Sequence, residues 1–227
     1  MIKKEAYKVE KSNRTELVFI LDRSGSMAGL ESDTIGGFNS FIERQRQQVG
    51  EVFVSTVLFS NFSKVIHDRI PLDQVPQLDE KTYQVGGNTA LMDAIGDAIR
   101  HISNAHKYAR PEDVPDKTMF IITTDGFENA SHRYRSSDVK AMVEVKKTAG
   151  WEFLFLGADI DAFALARDIG IQSDRAVRYR GKEDIGDSYI AISRAVEYIR
   201  HCKPESAPMG TEWKAELDKN ILKAQEQ

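Results

Sequence analysis

Cysteine is nearly absent from this chain of 227 residues, which contains one, Cys202. A lone thiol closes no internal disulfide, so the fold has to be held by its core, and a reducing, cytoplasmic compartment is expected. The five histidines show no metal-ligand spacing, and with one cysteine they offer no zinc cage. Long apolar runs are missing as well. The most apolar stretches, residues 17–21 and 119–122, are far shorter than the roughly 20 residues that cross a bilayer. Residues 1–14 alternate charge and polarity and lack the apolar segment of a secretory signal. Nor is there an excess of positive charge. Lys and Arg number 31 against 35 Asp and Glu, a formal net charge of -4, so no general attraction to phosphate backbones exists. Neither nucleic acid nor membrane is an expected partner.

What is present is a globular composition, 41% hydrophobic and 29% charged. Leu17, Val18, Phe19, Ile20 and Leu21 are apolar on both faces, as in a strand covered by helices on both sides. Ile35, Phe38, Ile42 and Val49 then recur at helical spacing, with Ser32 or Asp33 placed to cap the start. Residues 52–59 and 64–70 read as strands. Only residues 60–63 separate them, too few for a parallel crossover, so they form an antiparallel hairpin. Leu91, Ile95, Ile99 and Ile102 predict a helix capped by Thr89, and residues 118–123 a strand ending near Asp125. Val139, Met142 and Val143 mark a helix starting near Ser136, and residues 151–156 a further strand. Asp161 is positioned to cap a short helix that Gly170 closes, residues 176–179 form a weaker edge strand, and residues 185–199 a long amphipathic helix. The alternation predicts an α/β fold with a mostly parallel sheet of about six strands and one antiparallel member. Residues 15–202 are expected to form one domain, flanked by a tail at 1–14 and an appendage at 203–227.

Ligands in such sheets sit beyond the carboxyl ends of the strands, so the residues that follow each strand carry the functional signal. After the first strand come Asp22, Ser24 and Ser26 at alternate positions, which an extended turn points the same way, with Gly25 between the serines. Asp125 and Gly126 follow the strand at 118–123, and Thr89 follows two glycines at a helix start. Two carboxylates and three hydroxyls, with no sulfur or imidazole, suit Mg²⁺, with Mn²⁺ or Ca²⁺ as alternatives.

The set Asp22-x-Ser24-x-Ser26, Thr89 and Asp125-Gly126 resembles the metal-ion-dependent adhesion site of von Willebrand factor A (vWA) domains, in particular stand-alone bacterial and phage ones. The resemblance spans about residues 15–200. It implies a doubly wound, Rossmann-like sheet of order 3-2-1-4-5-6 with helices on both faces, which sets the strands ending at Asp22 and Asp125 side by side. It also implies that Ser24 and Ser26 ligate the metal directly and Thr89 directly or through water. Asp22 and Asp125 would act through water and by orienting the hydroxyls. The open metal position would take an Asp or Glu of a partner protein, giving an intracellular, non-catalytic scaffold module, with stress-response or ATPase-linked assemblies as the suggested setting.

Other readings compete with parts of this one. A haloacid-dehalogenase-type phosphohydrolase would use Asp22 as nucleophile, but it needs an acid two residues on, where Ser24 stands. No P-loop is present for nucleotide binding. Asp93 and Glu128 read more simply as helix-face and loop solvation than as supports of a metal site. Arg133, Tyr134 and Arg135 read equally as a partner contact or a solvated loop.

Overall fold

The computed structural model describes residues 13–158, 160–179 and 182–201. The expectations for the two tails therefore lie largely outside the described residues, as does Cys202. Six strands form one sheet: β1 (Arg14–Asp22), β2 (Glu51–Phe59), β3 (Ser63–Pro71), β4 (Lys117–Thr124), β5 (Glu152–Gly157) and β6 (Ala176–Arg178). Their order is β3-β2-β1-β4-β5-β6, with β2–β3 antiparallel and the other pairs parallel. This is the doubly wound order expected, with the antiparallel strand β3 at one edge and the three-residue β6 at the other.

Among the described residues five α-helices cover the sheet: α1 (Glu31–Arg46), α2 (Leu91–Tyr108), α3 (Ser136–Thr148), α4 (Ile160–Asp168) and α5 (Lys182–His201). Side chains alternate along β1, so Leu17, Phe19 and Leu21 enter one core while Val18 and Ile20 enter the other. The first core takes Phe38, Phe41 and Ile42 of α1 and Ile185, Tyr189, Ile192 and Val196 of α5. The second takes Leu91, Ile95, Ile99 and Ile102 of α2 with Val139 and Val143 of α3. Each fully buried side chain of these stripes contributes about 1.5–3 kcal/mol, which is why helical periodicity alone locates the helices.

Helix boundaries depart from the sequence expectation in α1 and α4. Helix α1 starts at Glu31, with Leu30 at the cap position and no side-chain cap bond, so Ser32 and Asp33 lie inside its first turn. It stops at Arg46, which leaves Val49 outside the helix and exposed. Asp161 likewise lies within α4, whose end is closed as expected by Gly170 at positive φ.

Candidate metal centre

The chain leaves β1 toward β2 on one side and returns through β4 on the other, so the sheet's switch point lies at the carboxyl ends of β1 and β4. Asp22 ends β1 and is fully buried. Its Oδ1 accepts the Ser24 N–H at 2.7 Å, and its Oδ2 accepts the Thr124 hydroxyl at 2.6 Å. The backbone N–H of Asp125 also stabilises its charge. Burial, the largest influence, pushes the Asp22 carboxyl above its ordinary value, and the hydrogen bonds from Thr124, Ser24 and Asp125 oppose it.

Three hydroxyls converge next to this carboxylate. Ser24 Oγ and Ser26 Oγ are 3.0 Å apart. A methyl carbon placed on Gly126 would stand 2.8 Å from Thr89 Oγ1, 2.9 Å from Ser26 Oγ and 3.5 Å from Ser24 Oγ. One point beside Gly126 is thus ringed by all three oxygens, and only a residue without a side chain leaves that cradle free. Of the sequence-predicted residues, Asp22, Ser24, Ser26 and Thr89 stand together here, and Asp125 joins them through its backbone N–H to Asp22. Ser24 and Thr89 are buried, Asp125 is half-buried and Ser26 is exposed. A hard cation suits an oxygen-only set of this kind. Among the described residues no cluster of three or more His, Cys, Asp or Glu offers a rival metal site.

Thr89 is not a helix cap. Helix α2 begins two residues later, with Ala90 at the cap position, so the Thr89 hydroxyl remains directed to the cradle. The caps of α2 come instead from the loop after β4. Asn129 Oδ1 accepts the Thr89 N–H at 2.9 Å, Glu128 Oε2 the Met92 N–H at 2.9 Å and Ser131 Oγ the Asp93 N–H at 3.0 Å. In return Asp93 accepts the N–H groups of His132, Arg133 and Tyr134 at 2.9–3.0 Å. Glu128 also holds the N–H groups of Ala130 and Ser131 and the Ser131 hydroxyl. Asp93 and Glu128 therefore do more than solvate a helix face: they latch the loop bearing Gly126 to the helix bearing Thr89. The Asp93 carboxyl lies below its ordinary value, because its three N–H donors and Arg133 together outweigh the opposing effect of burial.

Arg133 is spent on the same latch, pairing with Asp97 at 2.5 Å and Asp93 at 3.4 Å, and Tyr134 covers Gly96 of α2. Arg135 of that basic cluster is exposed at the start of α3, its N–H bound to Asp138. The loop with Gly86 and Gly87 is tied to the first loop by Gly25 N–H to Gly87 O at 2.9 Å and Gly86 N–H to Arg23 O at 2.8 Å. Gly87 has φ +84°, a conformation that a side chain would strain.

Sequence reasoning missed three supports. Thr124 binds Asp22, the buried Tyr83 hydroxyl donates to the Asp22 carbonyl, and the buried Tyr179 hydroxyl donates to the Thr124 carbonyl at 3.2 Å. Burial pushes both phenols upward, so they remain donors. Thr124 was hidden because it stands at the end of an apolar strand, and neither tyrosine carries a motif. Asp22 is fully buried and its two oxygens accept the Ser24 N–H and the Thr124 hydroxyl, so it is shielded from a substrate, which disfavours its use as a phosphohydrolase nucleophile.

No protein-family model matches the sequence, and no curated protein matches it. Solved structures do match in three dimensions. The vWF domain of the type V pili tip protein Mfa5 from Porphyromonas gingivalis is 10% identical, covering 85% of this chain and 98% of its own, with a TM-score of 0.61. The fold is that of a vWA domain. A second vWA match, the von Willebrand factor type A structure from Catenulispora acidiphila, is 14% identical over 80% of this chain and 42% of its own, TM-score 0.52. Proximal thread matrix protein 1 from the mussel byssus, in a structure with a zinc-occupied MIDAS motif, is 14% identical over 83% of this chain and 47% of its own, TM-score 0.57. The match thus spans about half the length of the mussel protein.

Proposed function

We propose that this chain is a metal-dependent protein-binding module whose vWA fold holds Mg²⁺ at Ser24, Ser26 and Thr89, with Asp22 and Asp125 orienting them, and whose metal captures an Asp or Glu of a protein partner. The observation that carries this reading is the convergence of three hydroxyl oxygens on the point beside Gly126, above a buried carboxylate. Mainly neutral inner ligands leave a divalent cation strongly electropositive, so an incoming carboxylate is attracted to it. The donor set is all oxygen, which favours Mg²⁺, Mn²⁺ or Ca²⁺ over softer ions. The mussel relative's zinc-occupied motif supports a divalent cation in this fold. The low cysteine content supports a cytoplasmic location, and the charge balance speaks against nucleic acid. We assign the module to residues 15–202, with 1–14 and 203–227 as tails, and we read it as non-catalytic.

Thermal unfolding across a Mg²⁺ titration tests the site. At ten times the dissociation constant the metal stabilises the protein by about 1.4 kcal/mol, roughly 3 to 6 °C for a domain of this size. Asp22→Ala and the milder Ser26→Ala, at an exposed hydroxyl, are expected to abolish or shrink the shift. An identical response in wild type and both variants overturns the site.

A further inference from the structure

Of the chain's 11 phenylalanines, nine are buried or half-buried and two, Phe62 and Phe127, are 81% and 64% exposed. Both exposed rings belong to loops at the hydroxyl cradle. Phe127 follows Gly126, the residue whose missing side chain leaves the cradle free. Phe62 follows Asn61, whose Oδ1 accepts the Asn88 N–H at 2.5 Å, one residue before Thr89. The Ala90 N–H also binds the Ser60 carbonyl at 2.9 Å, and the Thr89 N–H binds Asn129. The segment carrying Thr89 is therefore held between the loop of Phe62 and the loop of Phe127.

Sheet order puts the loops that carry the two rings on opposite sides of the cradle. Phe62 stands beyond the end of β2, Asp22, Ser24 and Ser26 at the end of β1, and Phe127 beyond the end of β4, and these three strands are adjacent. Two strand spacings of about 4.8 Å separate β2 from β4 by roughly 10 Å, the length of about three residues of extended chain. Asn61, Asn88 and Asn129, exposed and uncharged, accompany the rings. Apolar side chains flanking a partner carboxylate would cover both rings, a burial gain that charged or polar flanks would not provide.

We infer that the partner presents its acidic residue in an extended segment with an apolar side chain within two positions on each side, and that Phe62 and Phe127 read those flanks. This rests on the metal-dependent capture proposed above and adds a sequence requirement to it.

The test is selection of displayed random 12-residue peptides on the full chain in Mg²⁺, with elution by EDTA. The eluted pool is expected to carry Asp or Glu flanked on both sides by Leu, Ile, Phe or Trp. Peptides from that pool should bind a Phe62→Ser, Phe127→Ser double variant at least tenfold more weakly, while its unfolding temperature and Mg²⁺ response stay unchanged. Acidic peptides without apolar flanks, or equal binding to the double variant, overturn the inference and leave metal-dependent capture standing. A pool without acidic residues overturns both.

Discussion

Gly126 shows how one residue keeps the proposed metal cradle open. Its φ lies outside the left-handed range, so alanine fits the backbone, but the added methyl would stand within 3.0 Å of the Thr89 and Ser26 hydroxyls. Gly126→Ala is therefore expected to fold as wild type and to bind Mg²⁺ at least tenfold more weakly, a loss of about 1.4 kcal/mol, measured by calorimetric titration. Retained affinity would mean that the metal sits away from the three hydroxyls. Glu16 makes a different point. It is fully buried in β1 and pairs with Arg69 of β3 at 2.7 Å and His106 of α2 at 2.6 Å. A carboxylate there is tolerated because two cationic or donor partners from separate elements enclose it.

At the scale of elements, the loop after β4 and the start of α2 act as one unit. Glu128→Ala removes the acceptor of four hydrogen bonds, those from Met92, Ala130 and the Ser131 N–H and hydroxyl. A cost of about 1.5–3 kcal/mol in urea unfolding is expected. Mg²⁺ affinity should fall with it, because Gly126 and Thr89 lose their common anchor, and Glu128→Gln should recover part of both. Helices α1 and α5 pack so closely that a methyl on Gly37 would meet the Tyr189 ring at 2.3 Å, whereas one on Gly36 would meet nothing within 4 Å. Gly37→Ala should destabilise by about 1–3 kcal/mol through overpacking. Gly36→Ala should be neutral or stabilising by up to about 1 kcal/mol from helix propensity. Equal effects at both positions would show that the α1–α5 contact is looser than described.

The whole molecule's stability should depend on pH through His67. This β3 residue is buried against Thr56 Oγ1 at 3.0 Å and stacks on Phe38, and burial lowers its pKa from the ordinary 6.5. The folded ring resists a proton that the unfolded chain accepts, so its contribution to stability is complete above pH 6.5 and is lost as pH falls through the lowered folded value. Urea midpoints measured from pH 7.5 down to 5 should fall less steeply for His67→Gln than for wild type. Parallel slopes would assign the acid sensitivity to other groups.

The sequence by itself determined the strands, the helical stripes and the hairpin, because these follow from burial alternating at periods of two and 3.6 residues, and it singled out the five polar residues proposed for the site because each stands just beyond a strand or before a helix. Only the tertiary structure decided what those residues do to one another. Thr124 reaches Asp22 across 102 positions, and Glu128 reaches Met92 across 36. Local propensity made Thr89 a cap and Asp93 and Glu128 solvated acids. Hydrogen bonds from distant loops outweighed it, because a buried N–H or carboxylate must find a partner wherever the fold supplies one.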